Sequence, residues 1–126
     1  MLTLKEQELQ RIERLRGWIV YLIYKNRPEP VELAVLTDAL DKYNFPLSRR
    51  TLAIELNYLR SKGLLVVFPL NGTEQLDRVE QSKLLQRYSS TESDSEMQRS
   101  LCVLLTSLGD DFQEHNATAA GITRVE

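Results

Sequence analysis

The most informative segment of this chain is Ser48-Arg-Arg-Thr-Leu-Ala-Ile-Glu-Leu-Asn-Tyr-Leu-Arg-Ser-Lys-Gly63, which runs directly into Leu64-Leu-Val-Val-Phe68. Serine is a preferred residue at the N-terminus of a helix, and glycine commonly ends one. Between these two signals the apolar positions recur at steps of four and three residues, which places Leu52, Leu56 and Leu59 on one face. The pattern predicts a helix over 48–63 and a buried strand over 64–68.

The opposite face of this predicted helix carries Arg50, Ile54, Asn57 and Ser61. This set is unusual for a merely solvated surface, because it mixes a cation, an amide and an exposed aliphatic side chain. A helix that packs on one side, offers such groups on the other and leads into a strand is typical of a recognition helix. In a winged helix-turn-helix domain that helix enters the major groove of DNA.

Two further helices are predicted before this segment. The first spans 5–25, where apolar residues recur at three- and four-residue steps; they are Leu9, Ile12, Leu15, Ile19, Leu22 and Ile23. Pro28 and Pro30 then favour an extended connector. The second helix is predicted over 31–43, with Asn44 as a left-handed cap. Its inward positions are Leu33, Leu36 and Leu40.

After the strand at 64–68, Asn71-Gly72 predicts a turn, and 100–105 is the expected return strand, so that the two form a two-stranded wing. A long insertion separates them. Within it, 73–88 is predicted to be helical with Thr73 as its cap, and the acidic, serine-rich segment 89–96 to be a loop. Thr106 is expected to cap a closing helix over 106–114, whose Leu108 and Phe112 pack on the first helix.

These elements predict a mainly α fold with a small β-wing, namely a winged helix-turn-helix with an extended, partly helical wing insertion. We expect one domain over 1–126, with a core at about 5–70 and 99–114. The wing insertion covers about 71–98, and an irregular tail covers 116–126. The helical part of the insertion either covers its own domain or reaches a partner subunit, and the sequence leaves both open.

The charge is distributed unevenly along the chain, although the net charge is only −2. Residues 1–64 hold 11 Lys and Arg against 8 Asp and Glu, whereas residues 65–126 hold 5 against 10. The first half can therefore present a basic docking surface. The single Cys102 excludes an internal disulfide and a cysteine-rich zinc module, which favours a cytoplasmic protein. No apolar run predicts a membrane span.

The order of these motifs resembles that of a family of small proteins found in Mu-like phages and prophages. The residues that carry the resemblance are Leu36-Thr-Asp-Ala-Leu40, Ser48-Arg49, Leu56 to Leu59, Gly63-Leu-Leu65, Leu105-Thr-Ser-Leu-Gly-Asp-Asp111 and Ala120-Gly-Ile-Thr-Arg124. The resemblance covers about 12–70 and 100–124 and implies a winged-helix fold. Two departures stand out. The family's wing is a tight hairpin, where this chain has an insertion, and Ala120 replaces a proline of the tail.

Catalytic and metal-binding chemistry is not indicated. His115 is the only histidine, and no second histidine or cysteine stands near it in the sequence to complete a metal site. Cys102 lies in an apolar predicted strand, where a small buried residue is expected rather than a nucleophile. The glycines form no phosphate-binding loop. We therefore expect no enzyme activity, no cofactor and no small-molecule substrate.

The predicted site is the outward face of helix 48–63, and its partner is double-stranded DNA. Arg50 and Asn57 are the candidates for base edges, since Arg pairs with guanine and Asn with adenine. Three residues at the start of the helix suit a phosphate, and two more could touch a thymine methyl or a sugar. The first group is Ser48, Arg49 and Thr51, and the second is Ile54 and Ser61.

A homodimer is also expected, because two-fold regulators present paired recognition helices. The first helix or the segment 73–88 could supply the interface. The alternative function is a protein–protein interaction module on the same scaffold, such as a phage accessory or assembly factor, in which Ile54 and Tyr58 seat a partner. Duplex binding that weakens steeply with salt would separate the two.

Overall fold

The computed structural model describes residues 3–70, 76–90 and 101–125. This part of the chain is mainly helical, with a small three-stranded antiparallel sheet. In chain order the elements are α1 (Leu4–Lys25), β1 (Val31–Glu32), α2 (Leu33–Lys42), α3 (Arg49–Ser61), β2 (Leu65–Pro69), α4 (Arg78–Ser90), β3 (Leu101–Leu105) and α5 (Ser107–Gln113). None of the helices described is both long enough and apolar enough to cross a membrane.

The sheet has the order β1-β3-β2, so β3 is its central strand. Val103 lies opposite Val67 of β2 on one side and Val31 of β1 on the other. The predicted pairing of 64–68 with 100–105 is confirmed by β2 and β3, but the sheet has a third strand, β1, that was not predicted. The predicted start of the second helix was wrong, because Val31 and Glu32 are extended and pair with β3 before α2 begins.

The leucines predicted to face inward on α2 and α3 are fully buried. Leu33, Leu36, Leu40, Leu52, Leu56 and Leu59 are each 0% exposed. The predicted stripe of α1 is only partly confirmed: Ile19 and Ile23 are buried, but Leu9 and Ile12 are 54% and 36% exposed. Residues 3–12 are all exposed, so the start of α1 extends beyond the elements that cover its apolar face. The apolar stripe of α1 therefore extends further toward the N-terminus than the core that buries it.

The predicted cap after α2, both caps of α3 and the cap before α5 are confirmed. Ser48 Oγ accepts a hydrogen bond of 3.1 Å from the backbone N–H of Thr51, which satisfies one free donor of the first turn. Gly63 has a φ of 78° just past α3, and Asn44 has a φ of 68° after α2. Thr106 caps α5 through a bond from Gly109 N–H. Each of these residues therefore begins or ends its helix at the position predicted from the sequence.

Helix α4, in the insertion, covers its own domain. Its apolar side chains Leu85 and Tyr88 are 2% and 0% exposed against the rest of the core. The buried Gln81 fixes it to the sheet: its Oε1 accepts a bond of 3.0 Å from Val67 N–H, while its Nε2 donates to Leu76 O at 3.0 Å. Gln81 thereby occupies a backbone donor of β2 that β3 does not reach.

The boundaries of α4 differ from the prediction. Residues 76–77 precede the helix, and Asp77 Oδ1 accepts a bond of 2.8 Å from Glu80 N–H at its start. Ser89 and Ser90 form its last turn and are not part of a loop. The Asn71-Gly72 turn, the Thr73 cap and the predicted loop over 91–96 lie outside the described residues.

The tail after α5 is irregular, as predicted, but it is bonded to the helices. Thr123 N–H donates to Glu13 O of α1 at 3.0 Å, and Gln113 Nε2 donates to Val125 O at 2.7 Å. The crossing requires Gly17, because a Cβ there would lie 1.6 Å from Thr123 O. In α5 the expectation for Phe112 is confirmed, since it is 2% exposed, whereas Leu108 is 44% exposed and does not pack inward.

Candidate nucleic-acid interface

The outward strip of α3 is open to solvent. Arg50, Ile54 and Ser61 are all exposed, and Ile54 is 56% exposed. One helical face can hold all three, because they are separated by four and seven residues. The strip lies between two neighbours: α4 runs along one flank, and the tail at Ala120 approaches the other flank through Tyr58. A partner can therefore reach the strip from outside.

The three residues at the start of α3 that were predicted to contact a phosphate differ in their surroundings. Ser48 and Thr51 are exposed and lie together, with their hydroxyl oxygens 3.1 Å apart. Arg49 turns toward α4, where its guanidinium lies 5.4 Å from the centre of the Tyr88 ring. The helix start therefore offers hydroxyls and backbone N–H groups to solvent, and Arg49 contributes to the packing of α4. Its predicted phosphate contact stays a prediction.

Asn57 is bonded to a cation of its own helix. Its Oδ1 accepts bonds from Arg60 Nε at 3.0 Å and from Arg60 Nη2 at 2.9 Å. Reading adenine requires this oxygen as an acceptor, so Asn57 would have to release Arg60 first. In the observed arrangement Asn57 holds the Arg60 guanidinium in place. Ser61 Oγ likewise donates to Tyr58 O at 2.6 Å.

Behind the strip, α3 is attached to α1 by a buried ion pair. Arg16 Nε lies 2.6 Å from Glu55 Oε2, and the two side chains are 14% and 7% exposed. The same guanidinium donates to Gly121 O at 3.0 Å and lies 3.7 Å from the centre of the Tyr58 ring. Arg16 therefore compensates the only carboxylate of α3 and fixes the helix to both α1 and the tail.

The neighbouring α4 forms a groove with α3. One part is lined by Arg50, Ala53, Ile54, Asn57, Ser82, Leu85, Gln86 and Ser89. The adjoining part is lined by Arg60, Arg78, Val79, Ser82, Lys83 and Gln86. Ser82 and Gln86 line both parts, so we treat them as one continuous α3–α4 groove. It brings together Arg50, Ile54 and Asn57 of the predicted site.

Sequence reasoning missed the α4 wall of this groove. The polar residues Ser82, Gln86 and Ser89 recur at steps of four and three, beside the buried pair Leu85 and Tyr88. That spacing defines a polar flank next to an apolar one. The periodicity was thus available, but it does not indicate which surface α4 packs against.

The charged side chains among the described residues that line the α3–α4 groove are all basic. They are Arg50, Arg60, Arg78 and Lys83. This is a local excess of positive charge in a chain whose net charge is −2. The charge distribution therefore favours an anionic partner at this surface more clearly than the sequence totals do.

Other reactive groups do not converge on a site. Burial, with a smaller effect of the Glu32 carboxylate, raises the pKa of the Cys102 thiol to about 11, so the thiol is protonated and a poor nucleophile at neutral pH. His115 Nδ1 lies 3.2 Å from Arg124 Nη1. In the described ranges, no three His, Cys, Asp or Glu side chains could hold a metal ion together.

A cavity of about 700 Å³ lies away from α3, beside the end of α1, β3 and α5. Arg27, one of its two lining cations, contacts its neighbours: the guanidinium lies 3.8 Å from the centre of the Tyr24 ring, and Nη1 is 3.6 Å from Asp110 and 3.8 Å from Glu114. The other cation, Lys25, lies 5.9 Å from the centre of the Tyr21 ring, and we assign the cavity no ligand.

Comparison with family models, with curated proteins and with solved structures gives no match for this chain.

Proposed function

We propose that this chain is a non-enzymatic DNA-binding protein with a winged helix-turn-helix fold, acting as a phage- or prophage-type transcriptional regulator. The element order supports the fold assignment: a short strand precedes α2 and α3, and β2 and β3 follow them. In the proposed arrangement α2 and α3 form the helix-turn-helix, and α3 enters the major groove. The resemblance to proteins of Mu-like phages supports the same assignment.

The observation that carries this proposal is the solvent-open strip of α3 beside a groove lined by cations. Arg50 projects from the strip and also lines the groove, so it can reach a base edge while neighbouring cations meet the phosphates. Ile54, which is 56% exposed, is positioned for a thymine methyl group. Ser48 and Thr51, at the start of the helix, offer hydroxyl groups to the sugar-phosphate backbone.

Replacing Arg50 and Asn57 together with alanine should abolish sequence-selective retardation of duplex DNA. Loss of a bidentate contact between Arg50 and a base costs about 1–3 kcal/mol of discrimination. The thermal melt should stay nearly unchanged, because Arg50 is exposed and Asn57 is half-buried at the groove. The measurement is selection of sites from a random duplex pool, followed by retardation assays with the selected duplex and a scrambled one.

Each single variant should be compared with Arg14→Ala, which removes an exposed cation of α1 away from the groove. Asn57→Ala has a second expected effect, because it releases Arg60 from its two hydrogen bonds. Selection of the same sites with the same preference by the double variant would disprove the base-contact assignment.

We also propose that the protein is a homodimer and that the start of α1 supplies the interface. In the alternative interface, α4, Leu85 and Tyr88 are buried in their own subunit and Val79 is 60% exposed. Leu4, Leu9 and Ile12 remain 81%, 54% and 36% exposed, and each aliphatic side chain buried on association contributes about 1.5–3 kcal/mol. Light scattering should give a dimer mass, and Leu9→Glu should give a monomer mass. A monomeric wild-type protein at high concentration would contradict this.

The second candidate function is a protein-interaction module, and one observation favours it. Trp18 stacks on Tyr43 with ring centres 4.3 Å apart, and Tyr21 meets Trp18 edge-on at 5.4 Å. Trp18 is partly buried against the core, whereas Tyr43 is 47% exposed, so the cluster presents aromatic surface to solvent through Tyr43. Aromatic residues are enriched at protein interfaces. A module of this kind should ignore duplex DNA at low salt and form a stable complex with a protein.

A further inference from the structure

We infer that α4 takes the place of a wing and forms, with α3, a channel for one phosphodiester strand of the bound duplex. This inference rests on the proposed DNA-binding function and adds a second contact surface to it. The α3–α4 groove would hold the backbone that borders the major groove entered by α3. Its ligand is the phosphate chain of duplex DNA, independent of base sequence.

The first argument is the rigid attachment of α4. Leu85 and Tyr88 bury its apolar side, and Gln81 bonds it to β2 through Val67 N–H. These contacts hold the helix in one position relative to α3. A fixed second wall costs less ordering free energy on binding than a mobile loop would. The insertion therefore extends the α3 surface with a preformed element.

The second argument is the charge of the two walls. Arg50 and Arg60 line the groove from α3, and Arg78 and Lys83 line it from α4. Among the described residues that line the groove there is no carboxylate, and Glu55 of α3 is buried with Arg16. Phosphate is the anion that repeats along a strand, and a row of cations without intervening acids suits it.

The third argument is the arrangement of the individual donors. Asn57 orients the Arg60 guanidinium with two hydrogen bonds, which leaves Nη1 of that fork for a phosphate oxygen. Ser82, Gln86 and Ser89 add neutral donors along the α4 wall. Such donors commonly bond phosphate oxygens and fix the register of a protein on its duplex. In this assignment Asn57 positions Arg60 and Arg60 contacts the DNA.

The test is the salt dependence of duplex binding by Arg78→Gln with Lys83→Gln. Both side chains are exposed, so the fold should be retained, and the thermal melt checks this. Affinity is measured over a range of salt concentrations for a duplex recovered by selection and for a scrambled duplex. The slope of log affinity against log salt is negative. Loss of two phosphate contacts should make it less steep by about 2, equally for both duplexes. The selected sequence should not change.

The matched control is Arg14→Gln with Lys25→Gln, which removes the same charges from exposed positions of α1. If the α4 variant and this control show the same slope, the channel is disproved, while site selection that still depends on Arg50 would leave the proposed function standing. If the unaltered protein binds neither duplex even at low salt, both the proposed function and the channel are wrong. A reduced slope with unchanged selectivity, seen only in the α4 variant, supports the channel.

Discussion

Replacing Arg16 with methionine should lower the free energy of unfolding by about 3–5 kcal/mol, because it leaves a buried carboxylate without its counter-ion. Glu55 is 6% exposed and Arg16 Nε is 2.6 Å from its Oε2. The substitution also removes the hydrogen bond to Gly121 O and the contact with the Tyr58 ring. For a domain of this size the melting temperature should fall by on the order of 10–20 °C.

The double variant Arg16→Met with Glu55→Met distinguishes the contribution of the ion pair to stability from that of side-chain packing. Replacing both charges with apolar groups of similar size is often nearly neutral, so much of the lost stability should return. Arg14→Met is the control, since Arg14 is exposed and lies within one helical turn of Arg16. Equal stability of Arg14→Met and Arg16→Met would show that the pair contributes little to the fold.

Replacing Tyr88 with alanine should also cost about 3–5 kcal/mol, the range for truncating a buried aromatic side chain. Tyr88 is 0% exposed, and burial raises the pKa of its phenol, although Thr37 and the charge of Arg49 act in the opposite direction. Chemical denaturation measures the effect. The loss should be accompanied by weaker protection of the Val67 amide from hydrogen exchange, because Gln81 of the same helix holds that amide.

Val79→Ala is the control within α4, because Val79 is 60% exposed and should change stability by no more than about 0.5 kcal/mol. Tyr88→Phe keeps the ring and should lose much less than Tyr88→Ala. A small loss for Tyr88→Ala, similar to that of Val79→Ala, would mean that α4 is a loosely attached arm in solution. The groove would then have no fixed second wall.

The part of the fold that could be predicted from sequence is the part specified by local signals. Ser48, the leucines at four- and three-residue steps, and Gly63 all act within a few residues of one another, and α3 forms where they indicate. The outward side of α3 follows from the same periodicity. For this reason the prediction that Arg50 and Ile54 face outward agrees with their exposure, while their contact with DNA remains a proposal.

Features that depend on distant pairing could not be predicted in the same way. β1 has only two residues, and Val31 is extended because it meets Val103 across the sheet. The apolar stripe of α1 includes Leu9, but it does not indicate whether another element of the fold covers that residue. The polar flank of α4 is periodic, yet only the folded chain brings Ser82 and Gln86 beside Asn57. Periodicity identifies faces of helices but not the neighbours of those faces.

The attachment of the tail has a consequence for how the chain folds during synthesis. Gly121 follows Arg16 by 105 residues, yet its carbonyl accepts a bond from the guanidinium that supports the back of α3. Thr123 crosses α1 at Gly17 in the same region. On the ribosome, α1, α2 and α3 all emerge long before this strap does. The scaffold beneath the proposed DNA-reading helix is therefore complete only after residue 123 has been translated and released from the exit tunnel.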